Sequence, residues 1–336
     1  YEAKKGIIIA TGASTIQIPS FPVDGKVVIT AREAVSLKQV PKTLVLIGGG
    51  VIGLELGMVY QKLGSKVIVV EMLDQLLPTE DADVVRVVER RFTSRGGEVL
   101  TQAKAKSCTL QGDKATVVVE HAGKERSIEA DNVLVAVGFR PNSKGLGLEE
   151  IGVKLDERGH VLTDDKLQTN VPGVYAIGDV SGAPYLAHKA TKEGETAAEI
   201  IAGHKSARDW RVIPAAIFTD PEIATVGLRE KEAKAQGKAI KIGKFPFSVS
   251  GRAQAVSETD GFVKTLIDAG TKAVLGVAIV GPEASDLISE AAVAIEMCAY
   301  AEDVALTIHP HPTLGESVME SFKHALGEAV HIMNKN

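Results

Sequence analysis

Cysteine is nearly absent from this sequence: Cys108 and Cys298 are the only two in 336 residues. They stand far apart and show neither a redox nor a zinc-ligand spacing, which excludes a disulfide-stapled scaffold and a cysteine metal centre. They read as buried or incidental thiols of a reducing compartment. A strong charge of one sign is also missing. The 38 basic and 43 acidic residues leave a formal charge of −5, and with no long basic run the sequence gives nucleic acid nothing to bind. Long apolar runs are lacking too. The stretch 273–280 is among the longest and is far too short to span a bilayer, so no membrane partner is expected. There is no initiator methionine and no leader. The text opens on Tyr1-Glu-Ala-Lys-Lys-Gly6 directly before a strand, like a point inside a domain, so no targeting signal can be read from it.

What remains is an ordinary globular composition, 45% hydrophobic and 24% charged, over a length that suits two or three domains. Residues 6–10 form an apolar strand that ends in the sharp turn Thr11-Gly12. A second buried strand, 43–47, runs straight into Gly48-Gly-Gly50-Val-Ile-Gly53. A helix over 51–63 and a strand over 66–71 complete a βαβ unit. A helix over 83–95 follows, with strands at 98–100, 115–120 and 132–137. The last is apolar, short and glycine-ended like the first. A strand over 173–179 and a helix over 186–203 come next. Beyond Trp210 the character changes. Strand-like runs at 245–249, 262–267 and 274–280 precede two helices, 285–300 and 317–329, which suggests an α+β domain with an antiparallel sheet. The 285–300 helix is apolar nearly all round and must be covered on several sides, with a partner subunit favoured for part of that cover.

Three places carry chemistry. In Gly48-x-Gly50-x-x-Gly53, the first glycine permits a tight turn, the second lets the backbone approach a pyrophosphate and the third allows close helix–strand packing. The pyrophosphate would rest on the helix N-terminus. Glu71, at the end of the following strand, would accept bonds from a ribose diol and repel a 2′-phosphate, favouring NAD over NADP; the bland alternative is a solvated strand end. Asp179 follows a strand and a glycine. It suits either a polyol chain lying along the strand ends or a simple turn. Last, His309-Pro-His311-Pro-Thr-Leu-Gly-Glu316 fixes a histidine between two prolines, each locking its own φ and restricting the residue before it. A carboxylate on one ring nitrogen would set the tautomer and raise the basicity of the other. Thr313 to Glu316 equally fits a capping box, with Glu316 bonded back to the backbone. Two histidines at this spacing also suit a metal, but no cysteine or acid has fitting spacing, so no metal is expected.

The segments GGGVIGLELG (48–57), VAVGFRPN (135–142), GVYAIGDV (173–180), LAHKA (186–190), FTDPEIATVG (218–227) and HPHPTLGE (309–316) resemble, in order and from end to end, the pyridine nucleotide-disulphide oxidoreductases. AHKA and the HPHPTL-x-E ending favour the dihydrolipoamide-oxidising members over glutathione or mercuric reductases. The resemblance implies an α/β flavoprotein with Rossmann-like FAD- and NAD-binding domains and a C-terminal α+β dimerisation domain. It divides the chain into an FAD-domain remnant (1–27), the NAD domain (28–138), a second FAD segment (139–210) and the dimerisation domain (211–336). It implies that Gly12, Asp179 and the Ala187 backbone contact FAD, and that Gly48, Gly50, Gly53, Glu71, Ala103 and Gly138 line the NAD site with Val51 at the nicotinamide. Glu55 would pair with a lysine beside the flavin, a lysine with no recognisable place in this sequence. His311 would be the acid–base and Glu316 its orienting partner, serving the opposite subunit of a homodimer. The implied reaction is flavin-dependent oxidation of dihydrolipoamide with reduction of NAD⁺. The implied partner is the lipoyl domain of a 2-oxo acid dehydrogenase complex, in the cytoplasm or, in a eukaryote, the mitochondrial matrix.

The family's first glycine fingerprint and its Cys-x₄-Cys redox pair do not occur in this text. A further N-terminal segment is therefore expected ahead of Tyr1, and the partial FAD domain is expected to expose apolar strand edges. Two alternatives stand beside this reading. One is another disulphide reductase or an NADH oxidase of the same family. The other is a noncatalytic NAD-binding or dimerisation module, for which the His311–Glu316 arrangement would have no use.

Overall fold

The structure, a computed structural model, describes residues 2–334. Contacts divide the chain into two compact units, one made of Tyr1–Ile16 with Gly138–Trp210 and one of Gln17–Val137 with Arg211–Asn336.

The larger unit holds a five-stranded parallel sheet in the order Val28–Ile29, Asn132–Val135, Thr43–Ile47, Lys66–Val70, Glu98–Leu100. Its central strands are continuous apolar runs because both faces are covered. On one face Leu44, Leu46, Val67 and Val69 pack with Leu54 and Met58 of the Val51–Lys62 helix and with Val84, Val85, Val88 and Phe92 of the Ala82–Ser94 helix. On the other, Val45, Ile47, Ile68, Val70 and Val133 pack with Val117, Val119 and Ile128. These last belong to a three-stranded antiparallel sheet of Lys104–Gln111, Lys114–His121 and Lys124–Ala130. The sequence reading anticipated only the middle strand of that sheet. Its neighbours present mostly polar, exposed residues, with only Ile128 and Ala130 buried in the last, and so lack an apolar alternation.

The same unit carries a five-stranded antiparallel sheet in the order Ala215–Ile217, Glu222–Gly227, Val274–Gly281, Phe262–Asp268, Ile240–Pro246. The expected strand over 245–249 is displaced. The strand ends at Pro246, which has no N–H to extend the ladder, and Phe247–Val249 is a 3₁₀ turn leading to Ser250, whose hydroxyl accepts the Ala253 N–H at 3.4 Å and caps the next helix. Three helices follow where two were expected: Ala284–Glu296, Ala301–Leu306 and Glu316–Leu326. The extra one starts where Asp303 accepts the Tyr300 N–H at 2.8 Å. In the first helix Ile288, Ala291 and Ile295 are buried, while Val293 and, just beyond its end, Met297 lie open at 62% and 75% exposure. Exposed apolar side chains on that scale form a face suited to another protein surface.

A charged seam ties the five-stranded antiparallel sheet to the start of the Ala82–Ser94 helix. The Lys264 ammonium, only 1% exposed, lies 2.8 Å from Asp81, 2.7 Å from Asp83 and 3.2 Å from Glu230. Nearby, Arg229 bonds Glu80 at 3.0 Å. The three carboxylates are near enough to one another to hold a cation, and the lysine nitrogen takes that position.

In the smaller unit Ile7–Ile9 pairs in parallel with Val174–Ala176, and Ala13–Thr15 pairs antiparallel with Phe139–Pro141. The strand expected over 173–179 is shorter. It stops at Ala176, and Gly178, at φ +71°, turns the chain into a 3₁₀ turn over Gly178–Ser181. The core gathers Ile9, Leu148, Val153, Val161, Val174, Ala176 and Val180, while Ile7 and Ile8 are 52% and 38% exposed. The Ala187–Ile201 helix follows. No helix among the described residues is long and apolar enough to cross a membrane.

Candidate active site

The glycine turn leaves the carboxyl end of Thr43–Ile47, between the strands where the order of the parallel sheet reverses, which is where open α/β sheets bind ligands. At Gly48, φ is +103° and a Cβ would lie 2.5 Å from the Ala136 carbonyl oxygen. A Cβ at Gly53 would lie 2.5 Å from the Gly48 oxygen, whereas Gly50 faces open space. Gly50 is the N-cap of the Val51–Lys62 helix and no side chain caps it, so the first amides of that helix, from Val51 on, remain for a ligand.

Glu71 is 8% exposed. One carboxylate oxygen accepts the Gly49 N–H at 2.6 Å and the other the Leu73 N–H at 2.8 Å. The residue therefore does more than the sequence suggested, since it braces the glycine turn from beneath. Ala103 is buried and donates its N–H to the Glu71 carbonyl at 2.9 Å. Gly48, Gly50, Val51, Gly53, Glu71 and Ala103 thus come together in the larger unit. Gly138, at φ +105°, belongs to the smaller one. Glu55, one turn into the helix, accepts the Phe218 N–H at 2.7 Å, and burial pushes its carboxyl up against the effect of that bond.

At the other end of this unit His311 Nδ1 lies 2.9 Å from a Glu316 carboxylate oxygen. The second Glu316 oxygen accepts the Thr313 N–H at 2.8 Å. Glu316 thus bonds both the ring and the backbone, one on each oxygen, but Gly315 is the N-cap and Glu316 the first residue of its helix, so the capping box the sequence suggested does not form. The Thr313 hydroxyl does not close the capping box; it donates to the Pro310 carbonyl at 2.7 Å. Burial pushes the Glu316 carboxyl up, but the Thr313 and His311 bonds and the nearby charges of His311 and His331 hold it below the ordinary carboxylate range. With Nδ1 donating to the carboxylate, Nε2 carries the lone pair, and the His311 side chain is 79% exposed.

His309 contrasts with it. Its side chain is 7% exposed, with Nδ1 2.9 Å from the Thr307 carbonyl and Nε2 2.8 Å from Glu290. Both nitrogens are engaged, leaving none for a substrate proton. The acidic partner escaped the sequence reading because it lies on a separate helix.

In the smaller unit Gly12 has φ +70° with open space where a Cβ would point, and its carbonyl accepts the Asn142 N–H at 2.9 Å. Asp179 sits half-buried in its 3₁₀ turn. That turn is clamped: Glu193 accepts the Gly178 N–H at 2.7 Å, and Lys189 donates to the carbonyls of Gly178 at 3.1 Å and Gly182 at 2.6 Å. Lys189 is buried, which pushes its ammonium below the usual range. Ala187 is the exposed first residue of its helix, with no side-chain cap.

A glycine turn on a parallel sheet, a second glycine-rich strand end and a carboxylate-held histidine define a nucleotide-linked oxidoreductase. The chain belongs to the pyridine nucleotide-disulphide oxidoreductase family: the family's main domain matches residues 1–194 and its dimerisation domain residues 213–322. It is 46% identical over 331 residues to the dihydrolipoyl dehydrogenase of Geobacillus stearothermophilus and 47% identical over 330 residues to that of Haloferax volcanii, covering 98% of this chain and 70% of each relative. Among solved structures it superposes on LpdA from Mycobacterium tuberculosis with a TM-score of 0.87 at 34% identity, covering 95% of this chain and 69% of that one. The HOCl-induced flavoprotein disulfide reductase RclA of Escherichia coli, as its Cu(II) complex, gives a TM-score of 0.86 at 26% identity, covering 94% and 72%.

Proposed function

We propose that this chain carries the NAD site, part of the FAD site and the acid–base histidine of an NAD-dependent dihydrolipoamide dehydrogenase. The overall change is dihydrolipoamide + NAD⁺ → lipoamide + NADH + H⁺, and FAD, when bound, relays the electron pair between dithiol and nicotinamide. The observation that carries the reading is the His311–Glu316 pair. Its Nδ1 is held by a carboxylate, its Nε2 is free, and the ring stands exposed where a thiol of another molecule can reach it. Nε2 takes the proton of a dihydrolipoamide thiol, and the thiolate would attack a redox disulphide that these 336 residues do not themselves supply, displacing one of its sulfurs as thiolate. Glu316 stabilises the imidazolium that forms. Acid–base help of this kind is worth roughly 10²–10⁴-fold in rate.

The residues present fit both dinucleotides. Gly50 leaves a cradle that a Cβ would fill, the uncapped amides beyond it suit a pyrophosphate, and Glu71 faces the rim with a charge that accepts a ribose diol and repels a 2′-phosphate. Val51 would stand at the nicotinamide, with Ala103 completing the NAD site within its unit. Gly12, Asp179 and the Ala187 amide would meet FAD. Cys108 is half-buried with its thiol pushed up by burial, and Cys298 is exposed; the sequence separation and setting of the two suit neither for the redox pair. The protein acts as a homodimer in the cytoplasm, with a lipoyl domain of a 2-oxo acid dehydrogenase complex as its macromolecular substrate. The match to the family's dimerisation domain and the open face around Val293 and Met297 support the dimer.

The test is the visible absorption spectrum of the purified protein before and after anaerobic dihydrolipoamide. A flavin band that bleaches is the expected result. A colourless protein, or a flavin that dihydrolipoamide leaves oxidised, overturns the assignment.

A further inference from the structure

The smaller unit contains a hydrogen-bonded relay that the reaction does not use. Asp156 organises a tight turn, one carboxylate oxygen accepting the N–H groups of Arg158 at 2.9 Å and His160 at 2.8 Å. Its other oxygen lies 2.8 Å from His160 Nδ1. Nδ1 is therefore the protonated nitrogen, and Nε2 accepts the Tyr185 hydroxyl at 2.6 Å. The imidazole is nearly buried, its side chain 11% exposed. The Tyr185 ring is fixed edge-on, at 6.4 Å to Phe139 and 5.9 Å to His160.

Tyr185 lies in the short loop between the Asp179 turn and the Ala187–Ile201 helix. This loop holds itself by one backbone bond, from the Leu186 N–H to the Pro184 carbonyl at 3.1 Å. Gly182 stands at φ +122°, Ala183 and Pro184 are exposed, and Pro184 has no N–H to give. Its near end is tied by Lys189 to the Gly182 carbonyl. Tyr185 supplies the tie at its far end, one residue before the helix N-cap. Burial, and then the charges of Asp179 and Asp156, push the Tyr185 phenol up, so it stays a hydroxyl donor at every physiological pH.

We propose that Tyr185, oriented through His160 by Asp156, is a positioning residue that keeps Asp179 and the Ala187 amide in register for a flavin dinucleotide. The inference rests on the flavoprotein reading above and adds to it three residues outside the nucleotide motifs. A phenol that donates to an imidazole whose tautomer is set by a carboxylate has one orientation. The loop therefore reaches the helix start already arranged, and the cofactor need not order it on binding.

The experiment is FAD release from the FAD-loaded protein, followed by the rise of free-flavin fluorescence after dilution. Tyr185→Phe removes one hydrogen bond and His160→Leu two, those to Tyr185 and Asp156, and each should speed release roughly 3–10-fold. The double variant should release FAD no faster than His160→Leu alone, since the Tyr185 bond is already broken there. His160→Gln, whose amide oxygen can accept the hydroxyl, should restore release to near the wild-type rate. Unchanged release in Tyr185→Phe overturns the proposal, as do additive effects in the double variant. So does a fall in melting temperature that is equal with and without FAD while release stays constant, because that marks a merely structural bond. A wild-type protein that takes up no FAD at all overturns the flavoprotein reading, and this proposal with it.

Discussion

Glu71 and Glu316 are both carboxylates that hold a turn at the edge of a helix, and they differ in what they hold it with. Glu71 gives both oxygens to backbone amides and is 8% exposed. Glu316 gives one oxygen to the Thr313 amide and the other to the ring of His311, which stands 79% exposed. A carboxylate that takes one backbone amide on each oxygen is fixed in place and keeps a further lone pair on each, so it shapes the turn and would still accept a ribose diol. One that shares itself between backbone and imidazole fixes the ring and its tautomer. His309 completes the contrast. It too has a carboxylate partner, Glu290, but its second nitrogen is taken by the Thr307 carbonyl. The carboxylate partner alone does not make a proton carrier; a free nitrogen and an open path do.

The widest separation should come from the proton carrier. His311→Gln keeps a polar side chain in the same loop but removes the basic nitrogen. Lipoamide turnover should fall by roughly 10²–10⁴-fold, while NADH–dye reduction, which needs no thiol proton moved, stays largely intact. Parallel loss of both activities would sink the role assigned to His311.

Next in size is Glu71→Ala, which breaks the other side of the comparison. It takes away the ribose acceptor and leaves the Gly49 and Leu73 amides without their partner. NAD affinity measured by calorimetry should weaken by about ten-fold or more, in line with roughly 1–3 kcal/mol for an unsatisfied buried donor. An unchanged dissociation constant would remove Glu71 from the site. His309→Leu sharpens the distinction between the two histidines. It should lower stability by no more than about 1 kcal/mol, since the Glu290 side chain is 37% exposed and water can replace the lost partner, and leave the acid limb of the pH–rate profile where it was. If that limb moves with His309, the two histidines share one titration and the contrast drawn here is wrong.

The legible parts of this molecule were those whose signal is local. The βαβ unit around Gly48 was readable because one strand, one glycine turn and one helix follow each other directly, and the residues of the turn act within it. The His311–Glu316 pair was readable for the same reason. Its ambiguity between cap and orienting group came from treating the carboxylate as one acceptor when it has two. What stayed hidden pairs side chains across the fold. Glu290 meets His309 from another helix, Lys264 gathers Asp81, Asp83 and Glu230 from the starts of two helices, and Tyr185 finds His160 across a loop. The strands Lys104–Gln111 and Lys124–Ala130 were hidden by composition, since a sheet with one wet face and charged edges shows little apolar period. The Phe245–Val249 stretch misled for the opposite reason: Phe245 and Phe247 are buried as a strand's apolar residues would be, yet Pro246 has already closed the ladder and Val249 is exposed.

The smallest expected effect is the pH dependence of the Glu316 brace itself. Its folded pKa lies below the ordinary value, because the Thr313 and His311 bonds outweigh the opposing effect of burial. A depressed carboxylate contributes stability that is fully present above its unfolded pKa, about 4.3, and disappears as pH falls through the lower folded value. The pair is partly open to solvent, so screening keeps the contribution at or below about 1 kcal/mol. Glu316→Gln retains an acceptor for the Thr313 amide and loses only the charge. Melting curves of wild type and variant should therefore differ slightly above about pH 5 and converge only as pH falls through the depressed folded value. A gap that persists or widens in acid would mean that Glu316 acts through packing at the start of its helix. The shared carboxylate would then be a brace of the Glu71 kind after all.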